Sequence, residues 1–389
     1  MNAPGRQRVG DLIAPFFEAV VAPLGFAEDD KSPGVLVAAT VAGQRYYFQY
    51  GRVPVSDGGD AAPEEVVMLI GSNTKVFTAT LLAMAVLQSR VELTTPVARL
   101  LPPEVSINEF AADEPVRLWH LATHSAGFPK GPCASGRYVF GHYGYDDTTR
   151  FLRDFQPRYR PGEYWFYSNQ GFALLGALMS HVHSELPRSE PGWDASYRVW
   201  PQVTRRLILE PLGMGSTQVE LGPVRRRLAR SYDFQRAGQP YSRIDVGEID
   251  PASAAVGAGA LSSTLPDMLD FLERQIEPGP DVLGRAIALT QQETERELRM
   301  GLGWQIGDGY LCKDGLMLGY ASYMAVDPTH RIGLFAFANS WGGDQGGSLN
   351  RATRAALGAL RHLPATWQSP RQPDAEQAPD CPVGVAVDG

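Results

Sequence analysis

The chain has 389 residues, 44% hydrophobic and 20% charged, with a formal net charge of −8 at pH 7. This is globular composition, long enough for one large domain or two intergrown ones. The acidic balance excludes a general nucleic-acid or anionic-membrane surface, and the short basic run RRRLAR at 225–230 reads as a solvated helix face.

The predicted elements follow in chain order. Residues 9–26 read as an amphipathic helix, because the N-terminus lacks a charged segment followed by an unbroken apolar core. No apolar run approaches the roughly 20 residues that span a bilayer, so a soluble, cytoplasmic protein is expected. GVLVAATVAG and QRYYFQYGRV, with Gly43 between them, carry a hairpin signal. After the polar linker PVSDGGDAAPEE, a long apolar helix starts near Ser72. From about 80 to 275 the pattern is mainly helical, as in NQGFALLGALMSHV and PDMLDFLERQI. Strand signals return in LGWQIGDGYLC, ASYMAVDP and IGLFAFANS, and SLNRATRAALGALRHL closes as a helix. Strands at both ends imply one sheet lobe from 1–75 and 276–362, with a helical lobe, 76–275, inserted between. The Pro-rich segment 363–389 reads as a disordered tail. A cleft between the lobes is the natural place for a site.

Three stretches could carry chemistry. IGSNTKVFTATLL contains Ser72 and Lys75, one helical turn apart, before an almost wholly apolar run. The chain has only four lysines, Lys31, Lys75, Lys130 and Lys313. An amine buried there loses its proton readily, which arginine cannot do, and a neutral amine beside a hydroxyl can act as its base. The bland reading is a helix start with a snorkelling lysine. PGEYWFYSNQGFALLG brings Tyr167 and Asn169 to the start of another apolar helix, where a tyrosine can relay a proton or an aromatic can simply precede a Ser/Asn cap. LCKDGLMLG puts Lys313, Asp314 and Gly315 at the end of a strand, either as an ordinary turn or as a cation and a close-approach glycine beside a substrate.

Together, in this order, S-x-x-K, Y-x-N and K-x-G resemble the serine β-lactamase and penicillin-binding-protein superfamily. The class C β-lactamase branch, with its DD-peptidases, esterases, D-amino-acid amidases and acyltransferases, is the best likeness. LWHLATHSAGFP, EPLGMGST and GAGALSSTLPDMLDFL support it, and the likeness covers roughly residues 10–362. It implies an α/β (α+β) fold with an antiparallel sheet flanked by the terminal helices and an all-helical lobe. It also implies Ser72 as nucleophile, Lys75 as its proton partner and Tyr167 as general base and acid. Asn169 would position substrate and Lys313 would support Tyr167. The backbone N–H groups of Ser72 and Leu316 would form the oxyanion hole. The implied partners are a small-molecule acyl substrate and water or an amine or alcohol acceptor, with no cofactor and no metal.

Asp314 departs from the pattern, because the superfamily has Thr or Ser there to hold a substrate carboxylate. If Asp314 faces the cleft, it repels such a group and favours esters, amides or thioesters; alternatively it turns away or pairs with an arginine. Tyr138, Trp165 and Trp304, with Asp314 and Gly315, are the candidate substrate-binding residues, although the aromatics could equally pack inside a lobe.

Rival readings lack parts. THSAG around Ser125 has threonine where a nucleophile elbow needs its first glycine. HLATH lacks the glutamate of a zincin, and the three cysteines are not spaced as a zinc site or disulfide framework. A β-lactamase or D-alanyl-D-alanine peptidase, and a catalytically silent binding homologue, stay open as alternatives.

Overall fold

The computed structural model describes residues 4–22, 33–131, 143–184, 198–234, 242–294, 299–317, 319–342 and 345–363. Helix α1 (Arg6–Val21) opens the chain, starting and ending earlier than the sequence pattern suggests. The expected hairpin is formed by β1 (Val35–Val41) and β2 (Gln44–Tyr50). Its two turn residues, Ala42 (φ 52) and Gly43 (φ 82), are both left-handed, as a tight turn matched to the strand twist requires. Then come β3 (Met68–Leu69), α2 (Thr74–Leu87), α3 (Leu118–Ala122), α4 (Tyr145–Asp154) and α5 (Asn169–Ser184). Short strands β4 (Ser231–Phe234), β5 (Ser242–Ile244) and β6 (Ser262–Ser263) precede α6 (Leu265–Ile276) and α7 (Val282–Thr290). The chain returns through β7 (Gln305–Ile306), β8 (Leu311–Met317), β9 (Tyr320–Asp327), β10 (Ile332–Ala338) and β11 (Ser340–Gly342) to α8 (Gln345–Arg361).

The main sheet has the order β2-β1-β10-β9-β8-β7, with every neighbouring pair antiparallel. The two ends of the chain therefore meet where β1 pairs with β10. Strands β1, β9 and β10 are buried at every position, which requires cover on both faces. On one face Val9, Ile13 and Phe17 of α1 join Leu349, Ala356 and Leu360 of α8 over Val37, Ala39, Leu334 and Ala336. On the other, Leu269 and Leu272 of α6 join Leu36, Phe335 and Phe337 in one core that runs on into α2 and α5. Phe77 of α2 stacks on Phe271 of α6 at 4.3 Å between centroids.

The inserted region is not purely helical. β4 and β5 make a small sheet with β11, and β3 pairs with β6. Helix α6, which lies within 76–275 but for its last residue, packs over β1 and β10, so this part of the insertion covers the sheet. An amphipathic pattern says that a helix has an apolar face, but not which surface receives it. Leu363 is 5% exposed and belongs to the core under α8, so the fold extends to it; 364–389 lies outside the described residues. No described helix is long and apolar enough to cross a membrane.

Candidate active site

Ser72 sits in a single 3-10 turn, Gly71–Asn73, which leads directly into α2. Gly71 has φ 54, and a Cβ there would lie 2.9 Å from the backbone nitrogen of Leu316. A Cβ on Gly315 would lie 2.2 Å from the Ile70 carbonyl. Two glycines thus let the serine turn lie against β8, backbone on backbone. Asn73 Nδ2 fixes this crossing by donating to Ile70 O (3.0 Å) and to Ser322 Oγ on β9 (2.8 Å). The turn that carries Ser72 thus lies against the main chain of Leu316, the other expected oxyanion donor.

Lys75 lies on the first turn of α2 and is fully buried. Its Nζ is 3.0 Å from Ser72 Oγ, 2.7 Å from Asn169 Oδ1 and 2.5 Å from the carbonyl oxygen of Ala258. Burial, reinforced by the Lys313 charge and opposed by Asp314, pushes the Lys75 ammonium well below the usual lysine range. A neutral amine has two N–H groups and one lone pair. Asn169 Oδ1 and Ala258 O can only accept, so they take the two N–H groups and leave the lone pair for the Ser72 hydroxyl. Thr78 Oγ1 donates to Gly257 O at 2.7 Å, which pins the 256–259 helical turn carrying Ala258 against α2.

Tyr167 Oη donates to the same serine oxygen at 2.5 Å. Lys75 Nζ and Lys313 Nζ stand 5.0 and 5.2 Å from its ring centroid, and the charged Lys313 is close enough to act on the ring. Asn169 begins α5, whose start is held by Ser168 Oγ accepting from the Gly171 N–H at 2.9 Å.

Lys313 is 1% exposed. Its ammonium donates to Asp314 Oδ1 at 2.7 Å and to Asp314 O at 2.9 Å. Burial alone would lower its pKa; Asp314 and Tyr167 outweigh that and hold it above the usual lysine range. Reciprocally, the Lys313 charge holds the Asp314 carboxyl below the usual carboxylate range despite partial burial. Asp314 therefore neither turns away nor finds an arginine: its partner is the adjacent motif lysine, and its side chain stays 35% exposed.

The structure thus brings together Ser72, Lys75, Tyr167, Asn169, Lys313, Asp314, Gly315 and Leu316. Trp165 is 39% exposed, with its ring centroid 6.3 Å from that of Tyr167. Trp304 is a correction to the sequence reading: it is completely buried in the main core and contributes packing, not an exposed pocket wall. Tyr138 lies outside the described residues. Sequence reasoning missed the Ala258 carbonyl, which no residue type announces, and the Asn73–Ser322 link. It also missed His124, which it met only inside a failed elbow pattern and a failed zincin pattern. Among the described residues no group of three or more His, Cys, Asp or Glu could hold a metal ion.

The family model for Beta-lactamase matches residues 16–359. The chain belongs to this family. A beta-lactamase of Pseudomonas fluorescens is 26% identical over 325 residues, covering 81% of this chain and 80% of that protein. The D-alanyl-D-alanine-carboxypeptidase/endopeptidase AmpH of Escherichia coli K12 is 26% identical over 337 residues, covering 78% of each. A crystal structure of a beta-lactamase/D-alanine carboxypeptidase from Yersinia pestis, complexed with citrate, superposes with a TM-score of 0.70 at 20% identity. It covers 91% of this chain and all, 100%, of that one. A class C beta-lactamase gives a TM-score of 0.70 at 17% identity, covering 91% and 98%. The likeness of these structures extends the fold across both the sheet and the helical region, and the family makes the chain a serine hydrolase.

Proposed function

We propose that this serine hydrolase cleaves an ester, amide or thioester that has no free carboxylate beside the scissile bond, through a Ser72 acyl-enzyme. The observation that carries the reading is the Asp314 carboxylate, partly exposed and 2.7 Å from the ammonium of the buried motif lysine. A cation that would otherwise attract a substrate acid is already neutralised, and the carboxylate repels a second one.

In the proposed reaction Ser72 Oγ attacks the acyl carbon, and its proton passes to the Lys75 amine or through Tyr167. The backbone N–H groups of Ser72 and Leu316 stabilise the oxyanion, where loss of one donor typically costs about 10²–10³-fold. Collapse expels the alcohol, amine or thiol, which takes a proton from Tyr167, and where Lys75 holds the serine proton it returns it to the phenolate. Water or an amine or alcohol acceptor then attacks the acyl-enzyme by the same steps in reverse. The names of the relatives support a second reading, hydrolysis of a β-lactam or a D-alanyl peptide.

Intact-mass spectrometry with a p-nitrophenyl acyl ester and with penicillin, on wild type and Ser72→Ala, tests the proposal. Turnover or an adduct from the ester alone, lost in the variant, is expected. A Ser72-dependent adduct that penicillin forms at least as fast would replace the proposal with the second reading. Reversible binding without adduct or turnover, equal in both proteins, would point to a silent binding homologue.

A further inference from the structure

The catalytic tyrosine of the proposal above sits on an irregular stretch between the turn at Gly162 and the start of α5. The segment 124–130 runs beside it and holds it through a series of hydrogen bonds. The Gly162 N–H donates to Ser125 O (2.8 Å) and the Phe166 N–H to His124 O (2.8 Å). The Ser168 N–H donates to His124 Nδ1 (3.1 Å), Ser168 Oγ to Pro129 O (2.8 Å) and the Asn169 N–H to Lys130 O (2.9 Å).

One residue in this segment is unlike the rest. His124 accepts from the N–H on each side of Tyr167, once with its carbonyl and once with its ring. Its imidazole lies 4.5 Å from the phenol ring and 5.0 Å from Phe172 of α5, centroid to centroid. It is 2% exposed and has φ 60, a left-handed conformation that an ordinary side chain avoids. Strain of this kind persists only where the surroundings demand it, and here it lets one residue turn both acceptors toward the same strip of backbone.

We propose that His124 is a positioning residue for the reaction: it clamps the backbone on both sides of Tyr167 and so sets the phenol oxygen against Ser72 Oγ. The inference rests on the Ser72–Lys75–Tyr167 reading of the site. Nδ1 can accept only when it carries no proton, so the ring must be neutral with its proton on Nε2. Burial, reinforced by the Lys313 charge, pushes the His124 imidazolium well below the usual histidine range, which keeps that acceptor available. His124 touches Tyr167 and not the reacting serine, so its effect should appear in turnover, through misplacement of a proton donor. A displacement of about 1 Å at a catalytic group can cost on the order of 10²-fold.

Two variants separate the clamp from simple packing. His124→Phe keeps a ring against Tyr167 and Phe172 but removes the acceptor. His124→Asn removes the ring, offers an amide oxygen near the position of Nδ1, and tolerates a left-handed backbone. The measurement is kcat and KM on a p-nitrophenyl ester, with Ser72 labelling by a fluorophosphonate and circular dichroism to establish folding. The expected result is a kcat roughly 10–100-fold lower in His124→Phe with KM within about threefold, and recovery to within about fivefold of wild type in His124→Asn. A folded His124→Phe with wild-type kcat overturns the proposal. So does an Asn variant at least as impaired as Phe, because the ring and not the acceptor would then matter. If Phe alone fails to fold, the Asn variant decides by the same fivefold criterion. Labelling or turnover that survives Ser72→Ala would overturn the underlying reading, whatever His124 does.

Discussion

Two buried lysines face one tyrosine ring, and their environments oppose each other. Lys75, from the first turn of α2, is surrounded by groups without charge: a hydroxyl, an amide oxygen and a backbone carbonyl. Its pKa falls. Lys313, from β8, meets the carboxylate of its own neighbour, and its pKa rises. Both side chains are removed from water, at 0% and 1% exposure, so burial does not distinguish them. The counter-charge does: an amine buried among neutral acceptors gives up its proton, whereas one buried against a carboxylate keeps it. In the proposed reaction the first lysine would serve as a base for Ser72 and the second as a fixed cation beside Tyr167.

The sharpest way to break this contrast is Lys75→Arg. It preserves positive charge but removes any neutral state. We expect kcat to fall roughly 10²–10⁴-fold, as for loss of a general base, with the fold intact by circular dichroism. A variant within tenfold of wild type would mean that Lys75 acts only as a charge. The wild-type rate should carry an acid limb governed by Lys75, rising with pH as its depressed pKa is passed, and stopped-flow acylation across pH would measure it.

Asp314→Thr sharpens the other half. It frees the Lys313 charge and removes the repelling carboxylate, so acylation by penicillin should rise about tenfold or more relative to acylation by a neutral ester. An unchanged ratio would separate Asp314 from substrate choice.

The smallest effect is on stability. Asp314→Asn leaves a buried ammonium without its charge partner and should cost roughly 1.5–3 kcal/mol in urea unfolding at neutral pH. Lys313→Met should cost less, about 1 kcal/mol, because the partly exposed carboxylate can return to water. The Asp314 pKa is lowered in the folded state, so its stabilisation is complete above the ordinary carboxylate pKa and lost as pH falls through the depressed value. The gap between wild type and Asp314→Asn should therefore close in acid. A gap that persists below the depressed pKa would refute the ion pair as its cause.

Some of this was legible without coordinates because it is local. Ser72 and Lys75 share a helix face through their spacing alone. Asn169 starts α5 because a polar Ser-Asn pair precedes a long apolar run. β-Branched and aromatic content marked β1, β2, β9 and β10, and strands at both ends of the chain implied that the ends share a sheet. The resemblance in three motifs then tied these local features to one site.

What the sequence by itself determined was therefore which residues are the candidates for chemistry and which elements carry them, since periodicity, capping and side-chain type are properties of short segments. Only the tertiary structure decided how those residues are charged and oriented. Asp314 pairs with Lys313 because of the path its side chain takes from the middle of β8, a strand that was expected to end there. Trp304 is core because residues from distant segments gather into the cluster that contains it. Helix α6 belongs with the sheet because β1 and β10 receive its apolar face. His124 matters because a segment some forty residues away in sequence lies across it. Burial, counter-charge and long-range backbone hydrogen bonds depend on which distant segments meet, and no pattern within one segment encodes that.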